Sequence, residues 1–344
     1  MEALVGRTLK NTDRRIHARR VLTALAAGAA LALTACTSAA DVNTNAAGSD
    51  AVAAPTSKKI AFDYPFTSLA LYSSLVDMMT ERAEELGYTV VTTDDQASLD
   101  KQITNLNGLA TSDVAAVVSF PMEPAAVTNI MTQMQGKGIK WVTYGTHIDG
   151  EDGSIDFAGE ATARAQVEAF VAWAAENDVQ SGTVLLTVFE NDDLGRSRSV
   201  GMREAMAELA PQFTVVEQSA ANSEDGLAAG RAELAKNPDL VGALGLNDDA
   251  TLGLAQASKE FGKVPSDVFY LGGNDGSPQV LEMMQRGDSV IRSTIALDTA
   301  ATGRALAEMP IELIEGTGPG TFVAKFELVT AGSPELDKLL GAAS

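Results

Sequence analysis

An α/β fold with two doubly wound, Rossmann-like lobes joined by a hinge is predicted by three observations. From residue 58 onward, short apolar runs alternate with amphipathic stretches of helical period. The apolar runs are continuous, as in Val114-Ala-Ala-Val-Val-Ser119, which suits strands covered by helices on both faces of a parallel sheet. The strand–helix series also occurs twice over a folded length of roughly 270 residues, too long for one simple core.

The first series opens with a strand at 59–63 and a helix at 68–86, whose Leu71, Leu75, Met78, Met79, Arg82 and Leu86 mark one face before Gly87 stops it. A strand at 88–92, a helix at 99–110 capped by Ser98, and a strand at 114–120 follow. A helix at 124–135 and a strand at 139–144 complete it. The second series has strands at 154–157, 183–188, 214–217, 241–246, 268–272, 290–295 and 321–326. Helices at 162–176, 199–209, 224–237, 250–261, 278–286 and 299–314 alternate with them. Residues 331–344 read as a C-terminal tail, and no repeat of solenoid period is present.

The N-terminus sets the expected compartment. Residues 14–20, Arg-Arg-Ile-His-Ala-Arg-Arg, precede an apolar run at 21–33. That is the charged and apolar order of a secretory signal, and the run is shorter than the roughly 20 residues a spanning helix needs. Leu33-Thr34-Ala35-Cys36 matches the lipobox of bacterial lipoproteins, in which the cysteine takes lipid on sulfur and heads the mature chain. Cys36 is the only cysteine. The expectation is therefore a signal peptide at 1–35, a Ser/Thr/Ala/Asn-rich flexible tether at 36–57, and a chain held on the extracytoplasmic face of the membrane by lipid alone. The paired arginines are a weak match to a twin-arginine signal.

The net charge of −21 becomes −25 when the six basic and two acidic residues of 1–35 are removed. Such a surface repels phosphate backbones, so nucleic acid is excluded as the expected partner. Catalytic material is scarce. With Cys36 lipidated and His17 in the signal peptide, His147 is the sole histidine left, so neither a Cys–His pair nor a Cys/His zinc site can be assembled. Gly-x-Ser-x-Gly, strand-following Gly-x-Gly-x-x-Gly and Gly-x-x-x-x-Gly-Lys are all missing, and no cofactor or metal is expected. Carboxylates are abundant, which leaves a carbohydrate-active enzyme as a minor alternative.

In open α/β sheets ligands gather beyond the carboxyl ends of the strands. Those ends carry Tyr64, with Tyr72 one turn into the next helix, then His147, Arg196, Arg198, Asn222, Asn247, Asp275 and Asp298. Amides, carboxylates, guanidinium groups and phenols make paired hydrogen bonds to adjacent hydroxyls. Each also has a plain structural use, as a helix cap, a surface ion pair or a packing aromatic. Their recurrence at strand ends favours a binding site.

From residue 58 to 330 the chain resembles the ribose-type periplasmic binding proteins, the type I substrate-binding proteins of sugar ABC importers. Gly-Leu-Asn247-Asp-Asp-Ala-Thr-Leu-Gly253, Leu-Gly-Gly-Asn-Asp275-Gly-Ser-Pro and Gly-Arg196-Ser-Arg198-Ser-Val-Gly201 carry the resemblance, with Ser-Phe-Pro-Met-Glu-Pro-Ala after the third strand. It implies a ligand-packing aromatic at Tyr72 and a polar contact at His147 or Thr146. It further implies the family arginine at Arg196 or Arg198, the asparagine at Asn247, the aspartate at Asp275 and a loop contact at Asn222. Tyr-Pro-Phe-Thr-Ser stands in place of the usual Asn-Pro-Phe, Gly159 in place of a polar contact, and Leu297 in place of a glutamine beside Asp298.

The resemblance implies discontinuous lobes, 58–150 with 298–320 and 151–297 with 321–330. It also implies a monomer that closes on a small-molecule ligand, foremost a sugar, and presents it to an ABC permease. A lipoprotein receptor of the same fold that reports to a membrane sensor is the second expectation.

Overall fold

The computed structural model describes residues 56–65, 69–237, 239–318 and 320–342. Cys36, the expected signal peptide and all but the last two residues of the expected tether lie outside them. The first lobe begins with β1 (Lys59–Tyr64), α1 (Ala70–Glu85), β2 (Thr89–Asp94), α2 (Leu99–Leu109) and β3 (Ala116–Ser119), then α3 (Pro124–Gln135), β4 (Lys140–Tyr144) and β5 (Gly153–Asp156). The second lobe follows with α4 (Gly159–Glu176), β6 (Gly182–Val188), α5 (Asp193–Leu209), β7 (Phe213–Ser219) and α6 (Ser223–Lys236). It continues through β8 (Leu240–Leu244), α7 (Asp248–Glu260), β9 (Tyr270–Asp275), α8 (Pro278–Arg286) and β10 (Ile291–Leu297). The chain returns to the first lobe with α9 (Thr299–Glu315) and β11 (Gly320–Val323), then ends on the second with β12 (Phe326–Thr330) and α10 (Pro334–Ala342).

The two sheets run β11-β5-β4-β3-β1-β2 and β12-β10-β9-β8-β6-β7. All pairs are parallel except β12, which is antiparallel to β10. Both sheets thus share one winding order, and each has its switch point between its first and third strands, where a crevice opens at the carboxyl ends.

Strand alternation assigns each side chain to a layer. Ile60 and Phe62 face α1 and α9, packing with Leu75, Met79 and Leu306. Ala61 faces the other way, toward the layer of Leu106, Ile130 and Trp141. The second sheet is covered likewise, Val184 and Leu186 against Phe170 and Met202, Leu185 and Leu271 against Leu254 and Leu281. Each such side chain, fully buried, stabilises the fold by roughly 1.5–3 kcal/mol before ordering costs.

Three expectations are corrected. The segment at 154–157 was expected to open the second lobe, but β5 pairs with β4 and β11 in the first sheet. The expected single strand at 321–326 is two strands on different sheets, because the chain crosses between the lobes at Ala324–Lys325. The expected tail holds α10, whose buried Leu336, with Leu339 and Leu340, packs in the layer that contains Val280 and Leu281.

The crossings lie side by side. The Ala324 N–H donates to the Asp156 carbonyl and the Asp298 N–H to the Lys325 carbonyl, each at 2.8 Å, so the three strands of the hinge are laced together. At the first crossing Ala158 adopts a left-handed backbone, φ 52°, steadied by its N–H donating to Asp156 Oδ1 at 2.7 Å.

A buried carboxyl pair braces the first lobe beneath its switch point. Asp63 and Asp95 are both fully buried. Asp63 accepts from Thr93 Oγ1 at 2.6 Å and Ser119 Oγ at 2.9 Å, and Asp95 accepts from Gln102 Nε2 at 2.8 Å and Asn105 Nδ2 at 2.9 Å. The Asp95 N–H donates to the Tyr64 carbonyl at 3.0 Å, which ties the pair to the segment leaving β1. Burial pushes both carboxyls up; they are bonded to each other, and the charge of Asp63 raises Asp95 further. The folded pair therefore holds a proton that an unfolded chain releases near pH ~4, and stability falls as pH rises from there through the raised values. Asp63→Asn replaces that proton with a permanent amide hydrogen. The thermal midpoint of the wild type should drop more steeply between about pH 5 and about pH 8 than that of Asp63→Asn; parallel melting profiles would show that no extra proton is held.

Candidate ligand-binding site

The expected helix at 199–209 begins six residues earlier, because Asp192 caps it: Asp192 Oδ1 accepts from the Gly195 N–H at 2.7 Å. This moves both arginines from a loop onto α5 and separates them. Leu194, Arg198 and Met202 follow the four-residue spacing of its buried face, while Arg196 points outward. Arg196 bonds Asp193 Oδ1 at 2.5 Å and the Glu190 carbonyl at 2.6 Å, leaving its side chain 41% exposed.

Arg198 is the centre of the site. Its side chain is 3% exposed, and its Nη2 donates to Asp275 Oδ1 at 2.6 Å. Nη1 donates to the Leu246 carbonyl at 3.2 Å, and the buried Nε has no hydrogen-bond partner among the described residues. Asp275 ends β9 in a positive-φ conformation, 129°, and its carboxylate also accepts the backbone N–H of Asp248. Burial pushes its carboxyl up while Arg198 pulls it back. Asn247 caps α7, accepting from the Ala250 N–H at 2.8 Å, and donates to the Ala221 carbonyl at 2.8 Å. From the first lobe, α1 supplies Tyr72, whose phenol burial raises well above its ordinary value. The nearby charges of Asp192 and Asp275 add to that rise, against Arg198.

These groups surround a cavity of about 40 Å³ between the lobes, room for a few water molecules. Leu69, Leu71 and Tyr72 form the first-lobe wall; Asp192, Leu194, Arg198, Asn247 and Asp275 stand opposite, with Phe189, Gly195, Ala221 and Leu246. The second-lobe groups follow β6, β8 and β9, so the cavity lies at that sheet's switch point. Two carboxylates face one guanidinium. Asp192 too is raised by burial, while the Gly195 N–H and Arg198 lower it. Behind them burial lifts Asp248 to about 7 and Asp249 to about 6, the charge of Asp275 adding to each. No group of three or more metal-ligating side chains occurs among the described residues.

Of the candidates read from the sequence, Tyr72, Arg198, Asn247 and Asp275 meet at this cavity. Tyr64, Arg196, His147, Asn222 and Asp298 do not line it. Tyr64 packs edge-on against Phe62, ring centres 5.2 Å apart. The His147 side chain is 53% exposed, with Nδ1 3.0 Å from Glu151 Oε1, on an open groove beside the hinge. Asn222 and Asp298 are exposed caps of α6 and α9, each accepting a backbone N–H at 2.9 Å. Sequence reasoning missed Asp192 and Leu194. The signal for both was local: an aspartate three residues before a glycine, and Leu194, Arg198 and Met202 at helical spacing.

Removing Arg198 leaves Asp275 buried without its partner, whereas Arg196 belongs to a half-exposed pair. Arg198→Ala is expected to cost about 3–5 kcal/mol in urea unfolding and Arg196→Ala less than about 1 kcal/mol. Equal losses would contradict this division of roles.

Comparison with known proteins agrees with this architecture. The periplasmic binding protein domain matches residues 60–318. The ribose import binding protein of Salmonella typhimurium is 24% identical over 280 residues, 80% of this chain and 89% of that protein. Among solved structures, a Mycobacterium smegmatis ABC transporter solute-binding protein with bound glycerol is 22% identical, with a TM-score of 0.73 over 83% of this chain and 97% of that one. The Caulobacter myo-inositol binding protein bound to myo-inositol is 20% identical, with a TM-score of 0.73 and the same coverage, 83% and 97%. Two mostly parallel sheets of one winding order, a triple hinge and a polar cavity between the lobes are the parts such a protein needs, and with the family match spanning well over half its length, this chain belongs to the periplasmic binding protein family.

Proposed function

We propose that the chain is an extracytoplasmic solute receptor that captures a small polyhydroxylated ligand, foremost a monosaccharide, between its lobes and delivers it to an ABC importer. The observation that carries this reading is the buried set of Arg198, Asp275 and Asn247, with Asp192, at the second-lobe switch point, facing Tyr72 across the cleft. The Arg198 Nε, without a partner among the described residues, and the carboxylates beside it suit a ligand that both donates and accepts hydrogen bonds at adjacent atoms. Hydroxyl pairs on a sugar ring do this. The ribose import relatives and the polyol-bound neighbours support the same ligand class.

The work asked of the site is binding followed by release, with no bond made or broken in the ligand. Ligand contacts from both lobes are completed only when the hinge closes, so binding shifts the population toward the closed form that a permease can recognise. Lipidation at Cys36 would keep the receptor beside its permease. The monomeric state belongs to the same proposal.

A thermal-shift panel of sugars, polyols, nucleosides and amino acids tests the ligand class. A ligand at a hundred times its Kd should add roughly 2.7 kcal/mol of stability and raise the melting temperature, leaving the ligand chemically unchanged. A shift with an amino acid alone would discard the sugar. For the anchor, Cys36→Ser should release the protein from membranes, and retention of the variant would refute lipidation.

A further inference from the structure

Leu194 is carried by the second lobe but packs in the first. It sits in the first turn of α5, yet its side chain, 7% exposed, joins the apolar cluster that contains Leu71 and Tyr72. One residue earlier, Asp193 Oδ2 accepts a hydrogen bond from Thr146 Oγ1 of the first lobe at 2.5 Å. The lobes are thus joined by direct contacts of the chain with itself, one apolar and one polar.

Gly159, beside the first hinge crossing, makes room for this arrangement. A Cβ there would stand 3.1 Å from Leu194 Cδ1 and 2.7 Å from Ser197 Oγ, so both side chains would have to shift to admit it. With the leucine seated, the cavity measures about 40 Å³, well below the roughly 300 Å³ at the lower end of small-molecule pockets.

We propose that Leu194 is a specificity-determining plug: it occupies space the ligand must take, holds the lobes together through its own burial, and by its size limits how large a ligand the cleft admits. The proposal rests on the receptor reading and adds a competition to it. Burial of one leucine shifts a closing equilibrium by roughly ten- to a hundred-fold, and a ligand that must unseat it binds weaker by the same factor.

The test uses the full chain carrying one spin label on each lobe, with the interlobe distance measured before any ligand is added. Leu194→Ala and, separately, Thr146→Val should lengthen the distance, while Leu194→Met, of similar volume, keeps it short. D-ribose and a disaccharide are then titrated. Leu194→Ala should gain affinity by about ten-fold or more, the disaccharide gaining most. An unchanged distance in both Leu194→Ala and Thr146→Val overturns the plug, whatever binds. A lengthened distance with no sugar bound supports the plug and overturns the sugar reading alone. Lengthening with unchanged or weakened binding of both probes overturns the competition.

Discussion

The ion pair of Arg198 and Asp275 is the interaction on which the site depends. The two groups are 2.6 Å apart, with side chains 3% and 8% exposed, and each compensates the other's lost hydration. The pair links the first helix of the second-lobe switch point to the end of β9, so it sets the distance between two walls of the cavity. The neighbouring caps extend this: Asp192 fixes where α5 starts, and Asn247 fixes α7 while reaching the Ala221 carbonyl. A buried ion pair is by itself a poor source of stability. Its position beside an Nε without a hydrogen-bond partner among the described residues fits the proposed ligand site.

The lobes divide the labour unequally. Every charged group at the cavity comes from the second lobe, while the first contributes Tyr72 and leucines. The first lobe's buried carboxyls, Asp63 and Asp95, stand away from the cavity and brace the chain that leads to Leu69 and Leu71. The polar groups of the cavity are thus concentrated on one lobe, and the other contributes an aromatic and apolar wall. The hinge crossings bond to one another, and none of the residues in those bonds lines the cavity.

Much of the fold was legible because strands covered on both faces are apolar without alternation and their helices carry period-3.6 stripes. Val114–Ser119 and the Leu71, Leu75, Met79 stripe needed no tertiary knowledge. The errors fell where the local pattern is neutral. Gly153–Asp156 is a strand of ordinary composition, and only its hydrogen-bond partners place it in the first sheet. Phe322 and Phe326 look like one strand, yet the chain changes lobes between them.

For the site, the residue types that line the cavity and the strand ends near which they stand were written in the sequence. Which of Arg196 and Arg198 turns inward was decided by the tertiary structure, because one cap at Asp192 sets the rotation of α5 and a helix presents residues two apart on opposite faces. The same rotation sends Leu194 into the other lobe. A sequence specifies such a residue's character; its neighbours across a cleft depend on how two separately folded layers meet at a hinge.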